Sequence, residues 1–217
     1  LNNSPADLRL VLVDLKRSAL APFGSLPHVE TFAADNESAT KAIAAVAASI
    51  RARRDSGGIG PRVVLVVDEL REVIAGDPAA LAPLASIVSL GRELGIHLIA
   101  ATQHATAELI GPVVKSNFPA RIVGPVVSAA AALVAAGLPG SGAEYLSGAG
   151  SFLCVAGGKI DRFSAYNFDA AAADLMAIRA ASKWGGRRRL SSLANFASDP
   201  AEDSAPMLDA APAPERD

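Results

Sequence analysis

The chain has 217 residues, enough for one domain and a tail; 51% of them are apolar and only 5% are aromatic. A single cysteine, Cys154, excludes an internal disulfide or a cysteine-based zinc cluster, and we expect a reducing, cytoplasmic compartment. The net charge of −2 is uneven, since residues 197–217 hold six acidic residues and one arginine, which leaves +3 over residues 1–196. A mildly basic body is compatible with nucleic-acid binding.

The first part of the chain predicts a strand, a loop and a helix. Residues 8–14 form an apolar run that ends in an acid, which is typical of a strand, and residues 15–27 are predicted to form a loop. Asp35 or Asn36 can cap a helix. Its apolar residues recur at helical spacing on one face, at Ala39, Ile43, Val46 and Ile50.

The most informative stretch is residues 63–67, five apolar residues followed directly by Asp68 and Glu69. So short and apolar a run predicts a strand buried on both faces, as in a parallel sheet. Ligands of such sheets bind outside the carboxyl ends of the strands. There Asp68 can hold a hydrated Mg²⁺ while Glu69 orients or deprotonates a water that attacks a phosphate, the Walker B arrangement of P-loop NTPases. An ordinary strand that meets solvent has the same pattern, and these residues alone do not decide.

Strands and helices alternate through the rest of the chain. A loop is expected after Glu69, and no stretch predicts a transmembrane segment, because the longest uncharged one is broken by prolines and glycines. Alternation with short connections predicts an α/β fold with a largely parallel sheet. The predicted elements are a helix from about 81 to 94, strands at 96–102 and 120–124, a helix at 128–137, and an antiparallel pair at 151–156 and 161–166.

The sequence also predicts where the domain ends and the tail begins. Residues 1–182 are expected to form the domain, and residues 183–217 a disordered tail that is first rich in arginine and then in acidic residues, proline and alanine.

Gln103 stands at the carboxyl end of the predicted strand 96–102, the next strand after Glu69. Consecutive parallel strands often lie side by side, so Gln103 is expected to share a crevice with the two carboxylates, where its amide can bind a γ-phosphate or the attacking water.

These segments resemble the motor domain of the FtsK/SpoIIIE DNA translocases, RecA-like P-loop ATPases of the HerA/FtsK superfamily. The resemblance covers about residues 8–168 in the expected order. It is carried by Val-Leu-Val-Val-Asp-Glu (64–69), residues 85–92, Gly-Ile-His-Leu-Ile-Ala-Ala-Thr-Gln (95–103), Ile110, Lys-Ser-Asn-Phe-Pro-Ala-Arg-Ile (115–122), Gly-Ala-Glu-Tyr-Leu-Ser-Gly-Ala-Gly-Ser-Phe-Leu (142–153), Val-Asp-Leu-Lys-Arg (13–17) and Leu-Pro-His-Val (26–29).

The resemblance implies an ATP- and Mg²⁺-dependent motor that assembles into a ring, usually a hexamer, on double-stranded DNA. Carried over by position, Asp68 holds Mg²⁺, Glu69 is the catalytic base and Gln103 senses the γ-phosphate. Arg121 stabilises phosphate charge across a subunit interface, a role that suits its planar, permanently charged guanidinium. Lys115 is expected in the pore loop that contacts DNA. Lys16 and Arg17 are expected to face DNA or a neighbouring subunit's nucleotide.

Other positions depart from the family's pattern. The Walker A loop, G-x-x-x-x-G-K-[ST], which cradles the phosphates, occurs nowhere in the 217 residues, so the predicted fold lacks its N-terminal P-loop unit. His104 and Ala105 stand where the family commonly has Arg-Pro, and alanines 129–132 replace an expected polar stretch. We therefore expect this chain alone to hydrolyse ATP negligibly, either as a piece of a longer translocase or as an inactive remnant.

Three hypotheses follow. The first is an ATP-driven DNA translocase for chromosome segregation and cell division, or for conjugative transfer. The second is a non-catalytic ring subunit or a scaffold that binds DNA or protein, and the third is a secretion-system ATPase that moves protein. A Walker A loop encoded upstream of Leu1 would establish that the chain is a truncated motor, and its absence from an intact reading frame would exclude the first hypothesis. Retention of Asp68, Glu69, Gln103 and Arg121 argues against the second.

Overall fold

The computed structural model describes residues 2–58, 60–103 and 117–185. Within them the chain forms seven strands, five α-helices and four short 3₁₀ turns. The strands are β1 (Leu8–Val13), β2 (Val29–Ala33), β3 (Arg62–Val67), β4 (Ile96–Ala100), β5 (Ala120–Val123), β6 (Ser151–Ala156) and β7 (Lys159–Ser164); the helices are α1 (Asn36–Ser56), α2 (Leu70–Gly76), α3 (Leu81–Leu90), α4 (Ala129–Ala136) and α5 (Ala170–Trp184).

Four of the strands form a parallel sheet in the order β2-β1-β3-β4. Val13 of β1 lies opposite Val67 of β3, and Val67 lies opposite Ala100 of β4. The strands therefore end at one common edge, and the residues that follow them meet there. This arrangement confirms the predicted α/β class.

Helix α1 covers one face of this sheet for the reason that its sequence predicts. The Asp35 carboxylate accepts a hydrogen bond from the Ser38 main-chain N–H at 2.8 Å and caps the first turn. The apolar face that begins at Ala39 is buried, and full burial of a side chain such as Ile43 or Ile50 stabilises the fold by about 1.5–3 kcal/mol. Helices α2 and α3 contribute Leu70, Val73, Ile74, Leu84 and Ile87 to the same core.

Two predictions about the central region are wrong. The segment after Glu69 is helix α2 and not a loop, because Leu70, Val73 and Ile74 follow helical spacing and are all buried. Strand β3 is fully buried on one face only, since Val64 and Val66 on its other face remain half-buried. The apolar composition of β3 predicts two buried faces, whereas the described residues cover its second face only in part.

Strands β5, β6 and β7 form a separate antiparallel sheet. Its core consists of Val123, Leu153 and Val155, packed against Ala132 and Ala136 of α4. The predicted hairpin between β6 and β7 is confirmed, with Gly157 and Gly158 in its turn. The prediction of a largely parallel sheet therefore applies to the sheet of β1 to β4, and β5 to β7 form a second, antiparallel sheet.

Two elements lie where no strand or helix was predicted, β2 and α5. Helix α5 packs against the 3₁₀ turn Ala21–Phe23, and its Ala173, Ala177 and Ala180 are buried. It continues to Trp184, two residues beyond the predicted end of the domain at 182. The remainder of the predicted tail, from residue 186 onward, lies outside the described residues. Of the helices described, none alone is long and apolar enough to cross a membrane, and the bent pair Leu70–Gly76 and Pro78–Leu90 reaches that length only in combination.

Candidate active site at the carboxyl edge of the parallel sheet

Asp68 and Glu69 leave β3 at the edge where the parallel strands end. The Asp68 main-chain N–H donates to the Val13 carbonyl at 2.8 Å and extends the β1–β3 ladder by one residue. Glu69 then turns the chain into α2 with φ 50° and ψ 62°, a left-handed conformation that costs a non-glycine residue about 1–2 kcal/mol. Such strain persists where the surroundings hold it in place, and it is concentrated at functional sites.

The Glu69 carboxylate is held by the end of the neighbouring strand β4. The Thr102 hydroxyl donates to Glu69 Oε1 at 2.7 Å, and the Gln103 main-chain N–H donates to Oε1 and Oε2 at 3.3 and 3.4 Å. The Leu70 N–H also donates to the Ala101 carbonyl at 2.8 Å. Only 8% of Glu69 is exposed, so these donors fix the direction of a buried carboxylate. The ends of β3 and β4 lie side by side, as expected.

The structure thus brings Gln103 to Glu69, but through its main chain. The Gln103 side chain is exposed at the same edge. The contact made by a side chain is that of Thr102, to which the sequence interpretation gave no role. Its position directly before Gln103, at the end of a predicted strand, was the available signal.

The electrostatics of Asp68 fit a nearby cation. Burial raises the pKa of this half-buried carboxyl, and the negative charges of Asp14 and Glu69 raise it further. A divalent ion at this edge would offset that repulsion. Among the described residues there is no set of three or more His, Cys, Asp or Glu side chains that could hold a metal. The donors present suit Mg²⁺, which commonly takes one or two protein carboxylates and completes its shell with phosphate oxygens and water.

Lys16 lies near the same carboxylates. Its Nζ is 2.8 Å from Glu72 Oε1 on α2. The hydrogen bond and charge of Glu72 raise the pKa of Lys16, and the more distant charges of Glu69 and Asp68 add to this effect. Arg17 lies close enough to Asp35 for its charge to lower the pKa of that carboxyl, after the larger effect of the Ser38 hydrogen bonds. The predicted roles of Lys16 and Arg17 with DNA or a neighbour's nucleotide stay predictions.

Arg121 lies on β5, in the antiparallel sheet. Its guanidinium rests against Gly137 at the carboxyl end of α4, so closely that a β-carbon built at Gly137 would overlap it. Arg121 and Gly137 also line a cavity of about 170 Å³, together with Phe118, Pro119, Leu138 and the hairpin glycines 157 and 158. The structure therefore places Arg121 beside α4, and its role across a subunit interface stays a prediction. Lys115 lies outside the described residues.

Comparison with known proteins gives this geometry a context. The chain matches no family model. It is 29% identical to the DNA translocase FtsK of Helicobacter pylori strain J99 over 142 residues, which cover 55% of this chain and 17% of that protein. It is also 29% identical to the DNA translocase SftA of Bacillus subtilis strain 168 over 177 residues, 71% of this chain and 18% of that protein. The chain is thus similar in sequence to DNA translocases named FtsK and SftA.

The chain spans about a fifth of the length of the curated relatives it matches. Solved structures confirm the predicted RecA-like α/β fold. The pCW3 conjugation coupling protein TcpA, in its monomer form with ATPγS, superposes with a TM-score of 0.68 at 19% identity, over 82% of this chain and 57% of that one. The type VII secretion ATPase EccC of Thermomonospora curvata gives 0.65 at 21% identity, over 87% of this chain and 26% of that one.

Proposed function

We propose that the chain is part of an ATP-driven motor that moves double-stranded DNA, in chromosome segregation or in conjugative transfer. The observation that carries the proposal is the orientation of the buried Glu69 carboxylate by Thr102 and Gln103, directly beside Asp68. Relatives named as DNA translocases favour DNA over a protein cargo, because the secretion ATPases share only the fold.

The roles of the residues follow from their chemistry. Glu69 is the base that holds and deprotonates the attacking water, since two donors from β4 fix its carboxylate. Asp68 holds Mg²⁺ directly or through water, and Gln103 senses the γ-phosphate. When bound, ATP would supply the phosphoryl group and Mg²⁺ would neutralise the charge that develops on it. Asp68 and Glu69 together are the Walker B pair of this motor.

Assembly and DNA contacts complete the proposal. Subunits form a hexameric ring, in which Arg121 stabilises phosphate charge on a neighbouring subunit. Lys115 contributes one positive charge per subunit to the DNA path, where contacts to phosphates are independent of base sequence. Lys16 and Arg17 are secondary candidates for DNA contact. If Arg121 acts in trans, its alanine variant should lose turnover in the ring and regain part of it when mixed with wild-type subunits.

The role of Glu69 is tested with protein expressed from the intact reading frame. Glu69→Gln should retain ATP binding and lose DNA-stimulated ATP hydrolysis. Glu37→Gln, an exposed change on α1, is the matched control and should leave both unchanged. Turnover at the wild-type rate in Glu69→Gln would remove Glu69 from the mechanism.

The cargo is tested by movement. We expect ATP-dependent displacement of a triplex-forming oligonucleotide from duplex DNA, lost in Glu69→Gln. Stimulation of turnover by a secretion-signal peptide and not by DNA would contradict the DNA proposal and favour a protein cargo.

A further inference from the structure

Asp14 directly follows β1, as Asp68 directly follows the neighbouring strand β3. Its main-chain N–H donates to the Ala33 carbonyl at 3.0 Å, so the ladder continues through it. Val13 and Val67 are register partners, and Asp14 and Asp68 each follow directly. Neighbouring strands lie about 4.8 Å apart, and partners in register point to the same face. The two carboxylates therefore stand side by side.

Only one oxygen of the Asp14 carboxylate has a partner. Oδ2 accepts a hydrogen bond from the Leu20 main-chain N–H at 2.8 Å, which holds the loop after β1. Oδ1 has no donor among the described residues, although the side chain is 0% exposed. A buried carboxylate without full compensation is costly. A role of Asp14 in holding this loop accounts for the hydrogen bond of Oδ2, but it does not account for the burial of Oδ1 without a partner.

Negative charge is concentrated around Asp14. The carboxylates of Asp68 and Glu69 occupy the same edge, and the charge of Asp14 helps to raise the pKa of Asp68. The nearby cation, Lys16, is hydrogen-bonded to Glu72. A divalent cation, or a water molecule bound to it, would contact the unpartnered oxygen of Asp14 and would also offset the negative charge of the three carboxylates.

We propose that Asp14 is the second carboxylate of a divalent-cation site, contacting the ion or its bound water beside Asp68. The inference rests on the proposed function, because it concerns the ion that Asp68 would hold. Two carboxylates with the remaining positions left to phosphate and water match the usual coordination of Mg²⁺.

A first experiment uses the full unmodified chain and Mn²⁺, which substitutes for Mg²⁺ and broadens nearby amide signals in NMR spectra. The Leu20 amide is the reporter, because its N–H is hydrogen-bonded to Asp14. We expect this signal to broaden early in a Mn²⁺ titration and to recover with excess Mg²⁺. A Leu20 signal that stays sharp at saturating Mn²⁺ would overturn the proposal.

A second experiment uses Asp14→Asn, whose amide oxygen can still accept the Leu20 N–H. The dissociation constant for Mn²⁺ should rise by about tenfold or more. The melting temperature without metal should not fall, because the variant removes a buried charge that lacks a partner. Asp169→Asn is the matched control: Asp169 also accepts a main-chain N–H, from Ala172 at 2.7 Å, and its change should leave Mn²⁺ affinity unaltered.

The outcomes separate this inference from the proposed function. If Asp68→Asn weakens Mn²⁺ binding and Asp14→Asn does not, Asp14 only supports its loop and the inference is overturned while the motor proposal stands. If neither change affects Mn²⁺ affinity, the metal site assigned to Asp68 fails as well, and the inference fails with it.

Discussion

The Thr102 hydroxyl donates a 2.7 Å hydrogen bond to the Glu69 carboxylate and so joins the carboxyl ends of two neighbouring parallel strands. The bond links residues 33 positions apart in sequence, at the point where Glu69 adopts a left-handed backbone conformation. It connects the geometry of the sheet edge directly to the direction of the proposed catalytic base.

Thr102→Val should destabilise the fold by about 1–3 kcal/mol, because a buried carboxylate loses its best donor while the side-chain shape is kept. Thr40→Val on α1 is the matched control. The Thr40 hydroxyl is buried and has no hydrogen-bond partner among the described residues, so its removal should be neutral or slightly stabilising. Urea denaturation of both variants measures the difference, and equal losses would show that the Thr102 bond contributes nothing specific.

The left-handed conformation of Glu69 predicts an unusual order of stability between two variants. Both Glu69→Gly and Glu69→Ala remove the carboxylate and its hydrogen bonds. Glycine adopts φ 50° without strain, whereas alanine carries a penalty of about 1 kcal/mol. We expect the glycine variant to have the higher free energy of unfolding. An alanine variant that is equally stable would mean that the turn into α2 is not strained.

The contact between Arg121 and Gly137 predicts a steric coupling. Gly137→Ala and Gly140→Ala both place a side chain at positive φ, 74° and 67°, but only the first meets a neighbour, the Arg121 guanidinium. Gly137→Ala should therefore cost about 1–3 kcal/mol more than Gly140→Ala.

The Arg121→Ala background provides the test of that coupling. Without the guanidinium, Gly137→Ala should cost no more than Gly140→Ala, because only the backbone strain remains. Chemical denaturation of the four variants gives the coupling energy. An excess cost that persists in the Arg121→Ala background would assign it to another contact.

Asp68 predicts a pH dependence with a definite sign. Its pKa is raised in the folded protein, by burial first and then by Asp14 and Glu69, so the folded state binds its proton more tightly than the unfolded state. The resulting penalty is absent below the ordinary pKa of 3.8 and grows as pH rises through the folded-state pKa. Asp68→Asn should therefore be more stable than wild type at pH 7 without metal, and the advantage should shrink toward pH 4.

Asp35 is the opposite case and serves as the comparison. Hydrogen bonds from Ser38 lower its pKa, so its contribution is present above the ordinary pKa of 3.8 and is lost as pH falls through the folded-state value. Asp35→Asn should therefore be less stable than wild type at pH 7, and this difference in the free energy of unfolding should shrink in acid. Its sign is opposite to that expected for Asp68→Asn. Unfolding curves at several pH values distinguish the two, and identical signs would contradict the assigned causes.

Local patterns in the sequence were sufficient for much of the fold. The apolar runs before Asp14 and Asp68, the cap at Asp35 and the hairpin glycines 157 and 158 each specify a nearby backbone geometry, and each element is present. These features depend on residues only a few positions apart. Helix α2 is the exception, because Gly76 and Pro78 favour a loop whereas Leu70, Val73 and Ile74 follow helical spacing and are buried.

The tertiary structure decided what depends on contacts between distant segments. The sequence by itself determined that two carboxylates follow a strand, and that a polar Thr-Gln pair follows the next one. Only the register of the parallel sheet brings the Thr102 hydroxyl to Glu69 and places Asp14 beside Asp68 with one oxygen unpartnered. The physical reason is that burial and hydrogen-bond partners at a sheet edge are set by strands that adjoin in space, whose order along the chain does not fix which side chains meet.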